Sequence, residues 1–316
     1  MNYLGELISL GVAFSWTIAA LASEVGSKRL GVFVMNVWRM GVTLLLSAVL
    51  LWLTMGAPYP VGAGNATWGW LLASGVVGYF FGDWCLFNSY LTIGSRMGQL
   101  FMTLAPMFTA LSAWVMIGQT LAWTSLLAMT VTLLGIAISV LGHDKQHHVT
   151  LDLPLKGILY GIGAGLGQCV GLVLSKIGLD HYTQDLLASE AYSSLATQQE
   201  AVLPFASNTI RCVAGLACFA AWLIASGNAG RMVTSLHERK GLAAMLIAVF
   251  SGPFIGVGFS LMAVQYTAAG IASTIMAMTP IIILLPSKWL FHQPITTRNV
   301  LGAVISVVGV SLFFLL

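Results

Sequence analysis

Charge is what this sequence has least of. Asp, Glu, Lys and Arg make up 7% of its 316 residues, against about 25% in a soluble domain. That is too little to cover a water-facing surface, so a soluble globular protein is excluded. Period-two alternation is missing as well. The apolar stretches are continuous, which excludes a lipid-facing barrel and leaves helices as the spanning element. Cysteine is scarce. Cys85, Cys169, Cys212 and Cys218 all fall inside apolar runs, without metal-ligand spacing and with no basis for a disulfide framework. Basic clusters are absent too, and the formal charge of +3 reflects loop lysines and arginines, so no nucleic-acid partner is implied. Glycine-rich runs such as Gly161-Ile-Gly163-Ala-Gly165 sit within apolar segments rather than after a strand. They read as close helix packing, not as nucleotide loops.

What is abundant is apolar length. A helix needs roughly 20 apolar residues to cross a bilayer. On that measure the chain reads as ten spans: 4–23, 32–54, 68–91, 97–117, 121–142, 155–177, 203–226, 242–265, 268–291 and 298–316. The first lacks a basic leader and is too long for a signal peptide, so it is expected to be a retained helix. The fold class is therefore all-α integral membrane, lying in the lipid bilayer.

The chain also repeats itself at an offset of 174 positions. Residues 98–119 (GQLFMTLAPMFTALSAWVMIGQ) align with 272–293 (ASTIMAMTPIIILLPSKWLFHQ), so that Met102 matches Met276, Pro106 matches Pro280 and Gln119 matches Gln293. Gly78, Gly82 and Gly135 match Gly252, Gly256 and Gly309 at the same offset. Asn36 and Arg39 match Asn208 and Arg211, while Trp16 and Glu24 fall opposite Gln168 and Lys176. Five helices per copy is an odd number, so the second copy must enter the membrane from the opposite face, giving a 5+5 inverted repeat. The expected division is 1–142 for the first repeat, 143–154 for a linker and 155–316 for the second repeat.

Ten of the 13 Lys and Arg residues fall on the loops opposite the amino terminus: Lys28, Arg29, Arg96, Lys145, Lys156, Arg231, Arg239, Lys240, Lys288 and Arg298. That bias places those loops in the cytoplasm and both termini outside it, in a plasma (inner) membrane. Residues 178–202, with Asp180, Asp185, Glu190 and Glu200, read as a surface-lying helix or a disordered loop, with a lid over a pore as a third reading. The linker HDKQHHVTLD carries His143, His147 and His148. It reads as a solvated connector rather than a metal site, so no metal is expected.

Ionisable groups inside a membrane are costly unless paired or hydrated. Asp83 lies about 15 residues into the third span, Arg39 about 8 residues into the second, and Glu24 at the end of the first. At 1.5 Å per residue all three share the cytoplasmic half, so Arg39 has two candidate partners, Asp83 and Glu24. Arg211 and Lys176 are the inverted counterparts, but the position matching Asp83 is Val257. Two readings follow. Either Asp83 is a proton or cation site gated by Arg39, or the pair is a fixed lock between the second and third spans. Pro106 and Pro280 break their helices and read either as hinges or as static kinks.

The Phe14-Ser15-Trp16 stretch, the charged residue eight positions after that Trp, Arg39, and the Leu104-Ala-Pro106 helix running into Gly118-Gln119 resemble the EamA-like family of the drug/metabolite transporter superfamily. The resemblance extends over nearly the whole chain. It implies a ten-helix fold around a central cavity formed by helices 1–4 and 6–9, and transport of small organic molecules, more often as an exporter. Carried onto this chain, Trp16, Trp38, Tyr79, Trp84, Asn88, Gln99 and Gln168 become candidate cavity residues. Each Trp reads alternatively as an interfacial or packing residue. Gln119 and Glu24 depart from the glutamate and lysine usual at those places, and the outward termini reverse the usual orientation.

The leading expectation is a secondary transporter with a small-molecule substrate and no cofactor, working as a monomer or homodimer. The rivals are a channel, a non-transporting lipid-handling or scaffold protein, and an intramembrane enzyme. The last would need paired acids or a metal cluster, and Asp83 stands alone among the spans.

Overall fold

The computed structural model describes residues 3–105, 107, 108, 111, 115, 123–143, 149–151, 153–189, 202–256, 259, 260, 263, 266, 272, 275–292 and 295–315. Nearly all of them are helical, because in lipid each backbone N–H and C=O must find its partner within the chain. Helix α1 spans Leu4–Leu30. It turns directly into α2, Val32–Met55, through Gly31, whose φ of 80° favours glycine. Asn65–Met102 then runs for 38 residues, about 57 Å at the helical rise and nearly twice a hydrocarbon core. The run is not one rod. Its first part, α3 (Asn65–Ser74), passes into a π-helical stretch Gly75–Gly82 and on into α4 (Asp83–Met102). The backbone of α4 breaks at Gly94 (φ 80°, ψ 158°).

Helix α5 (Trp123–Val140) leads into a short antiparallel hairpin, β1 (Leu141–His143) against β2 (Val149–Leu151). The expected open linker thus begins as a two-stranded ladder; His147 and His148 lie outside the described residues. The second half contains α6 (Leu155–Ala188), α7 (Leu203–Ala225), the short α8 (Gly230–Ser235) and α9 (Arg239–Val249), which enters a second π-helical stretch, Phe250–Gly256. It closes with α10 (Thr279–Ile282), α11 (Leu284–Phe291) and α12 (Thr297–Leu315). Among the described residues five helices are long and apolar enough to cross a membrane, with three shorter apolar helices besides.

Several boundaries differ from the sequence reading: α1 runs on to Leu30 rather than 23, and the third span continues helical to Met102 rather than 91. The sixth span does not end at 177: α6 continues to Ala188, and its polar last turns dock on the start of α3. Asp185 Oδ2 accepts from the Gly64 N–H at 2.8 Å and from the Thr67 hydroxyl at 2.6 Å, while the Tyr182 hydroxyl donates to the Val61 carbonyl at 2.9 Å. Asp185 acts as an N-cap supplied from another helix, satisfying a donor that α3 cannot satisfy itself. Asp185→Ala is expected to cost about 1 kcal/mol, read as a lowered melting temperature in detergent. An unchanged melting temperature would show that the cap is dispensable. Glu190 and Glu200 lie outside the described residues.

The packing repeats between the halves. A Cβ placed on Gly167 would lie 2.7 Å from Gly82 Cα, and one on Gly171 would lie 2.6 Å from Gly78 Cα, so α6 crosses the first π-helical stretch backbone to backbone. In the other half α1 crosses the second π-helical stretch, with Ala19 against Gly252 and Trp16 against Gly256. Under the sequence repeat Gly171 on Gly78 corresponds to Ala19 on Gly252, and Gln168, which also borders Gly82, corresponds to Trp16 on Gly256. At the far side of the molecule α5 and α12 pack through small residues. Gly135 faces Ser306 and Gly309 faces Thr132, and the Ser306 hydroxyl donates to the Thr132 carbonyl, its own repeat mate 174 positions away.

Candidate functional site

A cavity of about 620 Å³ opens between these crossings, walled by α1, α2, both π-helical stretches, α4, α6, α7 and α10. Its polar centre is Asp83, which is 3% exposed and follows directly on the first π-helical stretch. A π-turn carries one residue more than an α-turn and re-aims the side chains that follow it. Both carboxylate oxygens are engaged. Oδ2 pairs with the Arg39 guanidinium of α2, and Oδ1 accepts from the Gln168 amide of α6 at 2.9 Å. Arg39 Nε also donates to Asn36 Oδ1 at 3.2 Å, and the guanidinium lies 4.9 Å from the Phe87 ring centroid. The lone acid is therefore clamped by one residue from each half of the chain.

Arg211 of α7 also lines the cavity. Its guanidinium lies over the Tyr79 ring at 4.4 Å, and the Tyr79 hydroxyl donates to Asn208 Oδ1. Arg211 makes no salt bridge with a described carboxylate, and its buried Nε has no hydrogen-bond partner. The repeat thus presents two Asn/Arg pairs, one with an acid and one without.

The candidates read from sequence divide into two sets. Trp16, Tyr79, Gln99 and Gln168 line the cavity together with Arg39, Asp83, Arg211 and Pro280, and the Gln99 amide donates to the Tyr90 hydroxyl at 2.7 Å. Trp38, Trp84 and Asn88 lie elsewhere. The Trp38 indole donates to Ser235 Oγ at 2.9 Å, Trp84 packs edge-to-face on Tyr160 at 5.4 Å, and Asn88 donates to the Trp84 carbonyl at 2.7 Å. The physical reason is azimuth. Trp38 and Trp84 each adjoin a cavity residue in sequence, and one helical step of about 100° turns a side chain away from its neighbour's face. The same arithmetic names residues that the sequence reading missed: Phe87 and Tyr90, at i+4 and i+7 from Asp83, both line the cavity.

Glu24 also differs from expectation. It is fully buried away from the cavity, pairs with Lys28 and accepts the Ser95 N–H through Oε2 at 2.6 Å. It caps the helix that restarts after Gly94, so it serves the backbone rather than Arg39. Pro280 is buried in the cavity wall at the start of α10, and turn residues 277–278 interrupt the helix before it. Pro106, Gln119, Gln293 and Val257 lie outside the described residues. Among the described residues no group of three or more His, Cys, Asp or Glu is placed to hold a metal ion.

Comparison with known proteins adds two findings. The model of the EamA-like transporter family matches residues 3–141 and again 186–315. A solved structure described as "Crystal structure of protein" aligns with 100% of this chain and 98% of its own, with a TM-score of 0.57 and 14% sequence identity, a likeness in fold alone. No curated protein matches the chain in sequence.

Proposed function

The chain belongs to the EamA-like transporter family, and from that premise we propose that it is a secondary carrier of small organic molecules, working by alternating access. The observation that carries this reading is the position of the cavity. It lies where the two halves cross, and its single acid is held by Arg39 of the first half and Gln168 of the second. Motion of one half against the other must remake that clamp.

The ten-span, 5+5 inverted arrangement is part of the proposal. Its support is the reciprocal contact of Thr132 and Ser306, with Gly135 on Ser306 and Gly309 on Thr132. A residue that touches its own repeat mate lies close to a local two-fold axis. The twin π-helical stretches and Pro280 are the segments proposed to flex, since broken helices are tolerated where they border a cavity. Protonation of Asp83 would discharge its hold on Arg39, which couples a proton to the rearrangement. Transport is proposed to run outward across the plasma (inner) membrane, by a monomer or homodimer with both termini outside the cytoplasm.

The test is reconstitution into vesicles with a panel of labelled amino acids, organic acids, amines and drugs. A carrier gives saturable counterflow, and flux that rises linearly without saturation for every substrate overturns the reading. In the same preparation strategy, a reporter fused after Leu316 reads orientation, and a cytoplasmic signal reverses the proposed topology.

A further inference from the structure

Among the described residues the charges lining the cavity do not balance. Arg39 and Asp83 neutralise one another, and Arg211 is left as an excess cation on the wall, with its buried Nε unpartnered. Asp83 acts on Arg211 through space, but only Arg39 and Gln168 touch it. A guanidinium without a counter-charge inside a membrane protein is a standing cost, which stacking on Tyr79 offsets only in part. The sequence repeats the arginine at this place and replaces the acid by Val257. Resting on the transporter reading above, we propose that Arg211 is the recognition point for an anionic group of the substrate, so that the cargo is a small organic acid with an apolar or aromatic body.

Three features of the cavity favour an anion over a cation. First, two of the four aromatic side chains lining the cavity already carry protein cations, Tyr79 by Arg211 and Phe87 by Arg39. Second, the Asp83 charge is already paired with Arg39 and its other oxygen engaged by Gln168, so an ammonium group would have to compete for it. Third, the Tyr79 ring engages the Arg211 guanidinium without using its N–H donors, and Arg211 lines the cavity, so its fork is the group a carboxylate would meet. The hydroxyl of Tyr79 is itself tied to Asn208, which fixes the ring beneath the guanidinium. The rest of the wall is mostly apolar: Trp16, Met40, Leu86, Met102, Leu172 and Met276 supply the surface for a hydrocarbon or aromatic body.

The test uses one scaffold in three charge states: 3-phenylpropionate, 3-phenylpropionamide and 3-phenylpropylamine. Binding to the purified full-length protein is read by quenching of Trp fluorescence and by thermal shift. The carboxylate is expected to bind at least tenfold more tightly than the amide or the amine. Arg211→Gln should abolish that preference, whereas Arg211→Lys, which keeps the charge but loses the fork, should retain part of it. The lysine variant also guards against a glutamine variant that fails to fold. Equal binding of carboxylate and amide overturns the proposal, as do tightest binding of the amine, no binding of any probe, or an unchanged preference in Arg211→Gln. Counterflow separates this from the transporter reading. Saturable flux confined to neutral or cationic substrates sinks the anion site and leaves the carrier standing. Arg211-dependent anion binding without saturable flux does the reverse.

Discussion

Asp83→Ala is expected to cost about 3–5 kcal/mol of stability, because it leaves the Arg39 guanidinium buried without its counter-charge. The Arg39–Asp83 contact joins two side chains that are 12% and 5% exposed, so little solvent is available to take over. The reciprocal change, Arg39→Ala, should cost a similar amount by stranding the carboxylate. Removing both charges with apolar residues of similar volume, as in Arg39→Met with Asp83→Leu, should recover most of the loss, since a buried pair pays much of its attraction back in desolvation. Thermal unfolding in one detergent compares the unsubstituted protein with the two Ala variants and the double variant. Asp83→Asn separates stability from coupling. It keeps an acceptor for Arg39 and the side-chain volume, but it cannot exchange a proton. Accumulation driven by a pH gradient should disappear in this variant while counterflow persists. An Asp83→Asn protein with full gradient-driven uptake would falsify the coupling role.

The second large effect is expected at the crossing of α6 and the first π-helical stretch. Gly171→Leu would place a side chain where a Cβ alone lies 2.6 Å from Gly78 Cα and 3.0 Å from its nitrogen. Backbone atoms cannot swing aside as a side chain can, so the helices must separate and the cavity wall moves with them. The expected cost is about 3 kcal/mol or more, seen as a lower melting temperature and a smaller folded peak by size-exclusion chromatography. Gly41→Ala is the control. A Cβ at Gly41 of α2 meets nothing within 4 Å, so that variant is expected to be neutral or more stable by up to about 1 kcal/mol. If both variants melt alike, the close crossing is not what holds α6 in place.

These two sites also mark how far the sequence alone carries. Counting residues inward from the span ends places Arg39, Asp83 and Glu24 at similar depths, and depth is legible because the helical rise is constant. Azimuth is harder, because it depends on where each helix begins and on any break within it. The π-helical stretch before Asp83 changes the register of everything after it. Glu24 shares the depth of Arg39 but not its azimuth, and it caps the helix restarting at Ser95. Trp38, Trp84 and Asn88 each lie one helical step from a lining residue, Arg39, Asp83 or Phe87, which turns them off the face that borders the cavity. The repeat fared better. Gly78, Gly82, Gly252 and Gly256 stood out as matched glycines, and all four lie at helix crossings. The continuation of α6 to Ala188 was invisible to hydropathy, since Asp180 and Asp185 end the apolar run without ending the helix.

The exchange of α1 and α6 between the halves has a consequence for synthesis. The Ser15 hydroxyl donates to the Ser251 carbonyl, 236 positions further along the chain. At roughly 5–20 residues per second of elongation, the inner face of α1 waits about 12–47 s for its partner to be made. During that interval its small and hydroxyl-bearing residues, Ser15 and Ala19 among them, face lipid or the insertion machinery. Helix α1 is thus locked only after the second half has been made, and the speed of the ribosome becomes one of the determinants of how much of the chain reaches its final form.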